Sequence, residues 1–191
     1  MLYEESKRFL VREYERNPCE QQAERLAETD ESGINTDMTL RYAHSKGKAR
    51  IVDHVPLNKP VSTALVSSIR VDGSCAYASF TGAVNGDRFK GYLKNTLVPT
   101  LHPGDVVVTD NIRSRKVDGV ADLIHSAGTE QINLPLYSPG WNPIEKLWSK
   151  LKSIFRKWSM RAVDTLKNAI PKAFDYINLH DCQGWFADAG Y

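Results

Sequence analysis

Cysteine is scarce: the 191 residues hold three, Cys19, Cys75 and Cys182. Odd in number and far apart, they make neither a disulfide framework nor a C-x-x-C metal knuckle. A reducing, cytoplasmic setting is the default for such a chain. Long apolar runs are also missing. None approaches the ~18–20 residues needed to span a bilayer, and the opening MLYEESKRFLVREYERN has no signal-peptide core. No membrane partner is expected. There is no internal repeat and no low-complexity tract. Charge of one sign is lacking overall, with 25 Lys+Arg against 23 Asp+Glu. Charged residues at 25% and the AVILMFWYC set at 41% are ordinary globular usage, which excludes wholesale disorder.

The near-balance hides an asymmetry. Residues 1–32 carry five basic and nine acidic side chains, so the remainder is net basic. That basicity is concentrated in Lys146, Lys150, Lys152, Arg156, Lys157 and Arg161, against the single acid Glu145. Such a cluster faces either water or a polyanion.

Residues 4–28 read as a charged, weakly amphipathic helix interrupted by Pro18. Arg25–Thr29 is only weakly strand-like, Asp30-Glu31 resembles an ordinary acidic surface pair, and 29–36 is turn-rich after Gly33. A short strand is expected over 49–55. Val61–Ile69 and Cys75–Thr81 form two β-like runs around Asp72-Gly73, a strong hairpin signal. A helix is expected over Asp87–Leu97, ended by Pro99. Asp105–Thr109 (DVVVT) suits a strand buried on both faces, followed by a helix over Val117–Ala127 and a strand over Gln131–Leu134. In the next helix Ile144, Leu147, Trp148, Leu151, Ile154, Phe155 and Trp158 recur at steps of three and four. The last expected helix runs from Arg161 to about Tyr176, kinked or split by Pro171. The alternation predicts an α/β fold, a mixed central sheet of about five strands flanked by helices.

Three carboxylates stand out. Asp110 sits at the carboxyl end of the buried DVVVT strand, where open sheets gather ligands; it also suits a turn or a helix cap. Glu145 follows Asn142 and Pro143, and the three fit a capping box with Asn142 at the cap. The same carboxylate, held on a rigid first turn, suits a cation. On the helical wheel Glu145, Ser149, Lys152 and Arg156 form one stripe, a pattern that fits either intrahelical pairing or a nucleic-acid backbone track.

The run Leu134-Pro135-Leu136-Tyr137-Ser138-Pro139, then Asn142-Pro143-Ile144-Glu145 and Trp148, closely resembles the third-acid motif of the DDE transposases, in the mariner-like superfamily and its bacterial insertion-sequence relatives. Val106–Asn111 resembles their second-acid motif, with 34 residues between Asp110 and Glu145, and Asp30-Glu31-Ser32-Gly33 resembles the first. The resemblance implies an RNase H-like fold over 29–191, with 1–28 an acidic appendage, and a catalytic, metal-binding triad of Asp30, Asp110 and Glu145. It implies two Mg²⁺ or Mn²⁺ ions, because two-metal phosphodiester chemistry needs hard oxygen ligands. Implied partners are DNA, as transposon ends and target, and a second copy or an upstream DNA-binding half; the implied setting is a bacterial cytoplasm at the nucleoid. Arg113, Arg115, Lys116, Ser149, Lys152 and Arg156 are the expected DNA contacts. Family members carry helix-turn-helix domains upstream, and only 29 residues precede Asp30. The expectation is therefore a catalytic-domain fragment, either active or an inactive remnant that binds DNA or a transposase.

Overall fold

The strand at the centre of the sheet forms where the sequence is least strand-like. In the computed structural model, which describes residues 23–40, 42–47, 50–57, 59–110, 118–134 and 139–191, β1 (Leu26–Asn35) follows a single 3-10 turn, Ala23–Arg25. It replaces the end of the helix expected over residues 4–28, of which 4–22 lie outside the described residues, and the turn expected after Gly33. The next strands are β2 (Ser62–Ile69) and β3 (Cys75–Thr81), then β4 (Val106–Thr109) and β5 (Glu130–Asn133). Their order across the sheet is β3-β2-β1-β4-β5. The β1–β2 and β2–β3 pairs are antiparallel, while β1–β4 and β4–β5 are parallel. This is the mixed five-stranded sheet that the alternation of elements predicts.

β1 lies between two strands and under helices on both faces, so five consecutive residues, Leu26 to Asp30, are buried although three are polar. Tertiary position overrides the weak local propensity. The strand expected over 49–55 is absent from its described part, residues 50–55. Ile51, Val52 and Val55 are exposed, and among the described residues no strand of the sheet lies alongside to accept their backbone groups.

Among the described residues five helices cover the sheet: α1 (Gly86–Tyr92), α2 (Val120–His125), α3 (Ile144–Trp158), α4 (Val163–Phe174) and α5 (Leu179–Ala189). Side chains alternate between the two faces with the period of a strand. Leu26, Ile34, Leu65, Ile69 and Val108 pack with α3, α4 and α5, whereas Val66 and Val107 pack with α1, α2 and the turns after α1. The apolar stripe of α3 is the one expected: Ile144, Leu147, Trp148, Leu151 and Phe155 are buried, with Ile154 and Trp158 packed beside them.

Three helical expectations need correction. The run after α1 does not stop before Pro99 but continues as a π turn, Leu93–Leu97, and a 3-10 turn, Val98–Thr100, that takes Pro99 near its start, where a missing N–H is tolerated. Pro171 does not split α4. It falls in the last turn, and the Asp175 N–H still bonds to its carbonyl (3.1 Å). α5 lies beyond the last helix expected from the sequence, although its capping box is complete: the Asp181 N–H donates to Asn178 Oδ1 (3.0 Å) and the Asn178 N–H to Asp181 Oδ2 (3.1 Å). Among the described residues no helix is long and apolar enough to cross a membrane.

At the edge of the sheet away from the candidate carboxylates, Arg70 clamps three segments. Its guanidinium makes a bidentate pair with the buried Asp105 (2.7 and 3.1 Å) and donates to the Glu24 carbonyl (2.9 Å). The ends of β2, β1 and β4 are tied together there.

Candidate active site

Parallel pairing of β1 with β4 runs Leu26↔Val106 through Thr29↔Thr109. Asp30 and Asp110 are the next residues on each chain. One step beyond the last pair, they stand level on neighbouring strands, about 5 Å apart at the backbone for parallel chains. Both continue the side-chain set of Leu26 and Val108, the face covered by α3. The Asp30 side chain is buried against that helix, and Asp110 is half-buried. Asp30 is thus no surface dipeptide residue but part of a buried polar band with Glu28, Ser32 and Ser67, its partner on β2.

Donors on both oxygens hold the Asp30 carboxylate. The Glu31 N–H donates to Oδ1 (2.6 Å), and the Trp148 indole N–H donates to Oδ2 (3.1 Å). Trp148 lies on α3 one turn after Glu145, so the helix that bears Glu145 also touches Asp30. Glu145 senses the Asp30 charge. Partial burial first, then the Asp30 charge, raise the Glu145 pKa above its ordinary value, with Lys152 opposing.

The capping box expected around Glu145 does not form. Pro143 is itself the cap residue, with helical backbone angles (φ −58°, ψ −26°), and among the described residues no side chain caps the helix. Asn142 is left one residue outside, with its Oδ1 buried and unpartnered among the described residues. The Glu145 N–H is satisfied by the Asn142 carbonyl (3.1 Å). The Glu145 carboxylate is therefore not engaged in capping and stands exposed at the helix start.

Sequence reasoning misses two residues here. Trp148 reads as part of an apolar stripe and of the third-acid motif, with no contact to a carboxylate expected of it. Glu28, two residues before Asp30 on the same face, is 1% exposed. Burial raises its carboxyl to about 8; the nearby Tyr191 hydroxyl lowers it and the Asp30 charge raises it further. Neither Glu28 oxygen completes a hydrogen bond of good geometry. The signal for Glu28 is its two-residue spacing from Asp30, visible only once 26–30 is known to be a strand.

The basic cluster divides. Lys146 pairs with Asp188 (3.4 Å) and Lys150 with Asp181, both on α5, and Arg161 donates to the carbonyls of Thr36 (3.3 Å) and Met38 (3.0 Å). Among the described residues Lys152, Arg156 and Lys157 form no ion pair. Of the expected DNA contacts, Ser149 is exposed and Lys152 and Arg156 half-exposed on α3, while Arg113, Arg115 and Lys116 lie outside the described residues. Among those described, no three Asp, Glu, His or Cys side chains are gathered tightly enough to hold a metal ion. The donor chemistry nevertheless suits one. Carboxylate oxygens are the ligands of hard divalent cations, and a cation would relieve the repulsion that Asp30 imposes on Glu145.

Solved structures share this architecture. A pre-cleavage Mos1 transpososome superposes with a TM-score of 0.76 at 15% identity, over 97% of this chain and 57% of that one. A mariner Mos1 paired-end complex with Mg gives 0.72 at 18% identity, over 97% and 58%. The catalytic domain of Mos1 mariner transposase gives 0.63 at 16% identity, over 98% and 92%. The chain thus spans little more than half the length of the first two and nearly all of the isolated domain, and its fold is RNase H-like. No curated protein matches the chain. The family model described as DDE superfamily endonuclease matches residues 25–167, a span that takes in Asp30, Asp110 and Glu145, and by that match the chain belongs to the DDE superfamily endonucleases.

Proposed function

We propose that the chain is the catalytic domain of a DNA transposase, hydrolysing a phosphodiester at a transposon end and joining the freed 3′-hydroxyl to target DNA. One observation carries this: β1, β4 and the first turn of α3 bring Asp30, Asp110 and Glu145 to one face of one sheet edge, with Glu145 feeling the Asp30 charge. These three residues would hold two divalent ions, Mg²⁺ or Mn²⁺, in keeping with the Mos1 paired-end complex described with Mg. When bound, such ions act as Lewis acids on the attacking and leaving oxygens.

The rest falls to the chain. Asp30, fixed by Trp148 and Glu31, supplies the buried carboxylate on the central strand. Asp110, just after the neighbouring strand β4, and Glu145, on α3 over the sheet, supply one carboxylate each. Lys152, Arg156 and Lys157 leave α3 with cationic groups available to phosphates, which positions a duplex without reading its bases. No protein nucleophile is needed, because water and then a 3′-hydroxyl attack phosphorus. Arg113, Arg115 and Lys116 complete the proposed contact surface. DNA ends and target, together with a second copy or a separate DNA-binding half, are the proposed partners. The proposed setting is the nucleoid of a bacterial cytoplasm, with residues 29–191 as the endonuclease domain and 1–28 as its appendage.

A second reading has an observation of its own. No trio of carboxylates is gathered tightly among the described residues, which fits a remnant that binds DNA or a transposase without cutting. Nicking of a supercoiled plasmid carrying matched inverted repeats, with Mn²⁺ or Mg²⁺ and an upstream DNA-binding half added in trans, separates the two. Metal-dependent nicking that disappears in Asp30→Asn supports the transposase; binding without nicking at any metal concentration supports the remnant.

A further inference from the structure

The Trp148 indole is 3% exposed and holds a single polar hydrogen. That hydrogen goes to Asp30 Oδ2, across 118 residues of sequence. Three features make this more than satisfaction of a buried N–H. First, Trp148 and Glu145 are three residues apart on one helix and lie on the same side of it. The hydrogen bond therefore ties the separation of two proposed metal carboxylates to a rigid helical turn. Second, the donor is uncharged. A Lys or Arg in its place would fix Asp30 but compete with a cation for its charge; an indole fixes one oxygen and leaves the charge in place. Third, the Glu31 N–H takes the other oxygen, Oδ1, so the carboxylate is held at both ends and its plane is set.

We propose that Trp148 is a positioning residue, whose indole N–H orients Asp30 relative to Glu145 so that the pair binds a divalent cation. This rests on the proposed function, because it takes Asp30 and Glu145 as metal carboxylates. Donors that orient metal-binding groups typically contribute about 10–100-fold in metal affinity, and that is the size of effect expected here.

The test is Mn²⁺ binding to the full chain by isothermal titration calorimetry. Replacement of Trp148 by benzothienylalanine puts sulfur where the N–H stood and preserves shape and packing. Trp148→Phe, which also leaves a cavity, is the simpler companion. The parent is expected to bind Mn²⁺ and Asp30→Asn to lose it. The benzothienylalanine chain is expected to bind about 10–100-fold more weakly, with a metal-free melting temperature close to the parent's. A second readout is the Trp148 indole N–H resonance, assigned by its disappearance in Trp148→Phe. It should move on Mg²⁺ addition in the parent and stay still in Asp30→Asn. Parental Mn²⁺ affinity in the benzothienylalanine chain overturns the positioning role while leaving the metal site standing. A parent that binds no Mn²⁺, or an Asp30→Asn chain that binds it equally well, overturns the metal reading and the positioning role with it.

Discussion

Partial burial first, and then the charge of Asp30, buried on the central strand, raise the pKa of Glu145 at the start of α3. Two carboxylates 115 positions apart in the sequence repel across one sheet edge. Glu145→Gln removes that repulsion and keeps size and helix propensity. The metal-free melting temperature is expected to stay level or rise slightly, since the removed charge was unfavourable. Stabilisation by added Mn²⁺ should shrink and cleavage should stop. Differential scanning calorimetry with and without Mn²⁺ checks this, and a clear loss of metal-free stability would return Glu145 to a structural role.

Glu28 makes stability depend on pH. Its carboxyl is raised from 4.5 to about 8 by burial, so the fold favours the protonated form. The contribution of that proton is complete below the unfolded value, is lost progressively as pH rises, and is gone above about 8. Glu28→Gln, which stays neutral, should match the parent at pH 4 and be the more stable chain at pH 8.5, by an amount on the order of a few kcal/mol. Urea melts of both chains at the two pH values measure it. A constant difference across the range contradicts the assignment.

The Arg70–Asp105 clamp joins three strand ends, with Asp105 buried. Burial works to raise the Asp105 pKa, but the Arg70 guanidinium and the His102 N–H hold it below its ordinary value. Removing one partner of a buried pair costs about 3–5 kcal/mol, and Arg70→Ala should fall near the lower end because Arg70 retains some exposure. The stability supplied by the depressed pKa is present above the unfolded value and disappears as pH falls through the folded one. Acid titration of parent and variant by circular dichroism should show the parent losing its advantage below about pH 4. An advantage unchanged down to pH 2 argues against the pair.

The α3 cations should behave as two groups. Lys146 and Lys150 hold α5, whereas Lys152 and Arg156 face outward. Lys152→Ala with Arg156→Ala should weaken duplex binding and lower the salt-dependence slope by about 0.9 for each phosphate no longer neutralised. Lys146→Ala with Lys150→Ala should leave that slope alone and lower the melting temperature. Fluorescence anisotropy at several salt concentrations distinguishes them; equal slopes for both pairs of substitutions would remove α3 from the DNA surface.

What is legible in the sequence follows from local pattern. The β2–β3 hairpin announces itself through Asp72-Gly73, β4 through three consecutive valines, and α3 through its apolar stripe. β1 stays hidden because the strand that carries the candidate site is polar where a core strand would be apolar: Glu28, Thr29 and Asp30 replace the residues by which a buried strand is recognised. α5 is short and its apolar stripe weak, although Asn178, Asp181 and the left-handed Gly190 (φ +93°) bracket it. At Asn142 the residue types of a capping box are all present, yet Pro143 takes the cap itself. The Trp148–Asp30 bond has no local signature, because only the packing of α3 on the sheet brings its ends together.

The most direct measurement is an anomalous difference map from crystals grown with Mn²⁺. Peaks are expected at the sheet edge, one or two in number and, if two, about 3.5–4 Å apart. Asp30 should be a ligand, with Asp110, Glu145 or both completing the set. Mn²⁺ bound only elsewhere, with Asp30, Asp110 and Glu145 contacting no ion at saturating concentration, would contradict the assignment of these three carboxylates as the metal site.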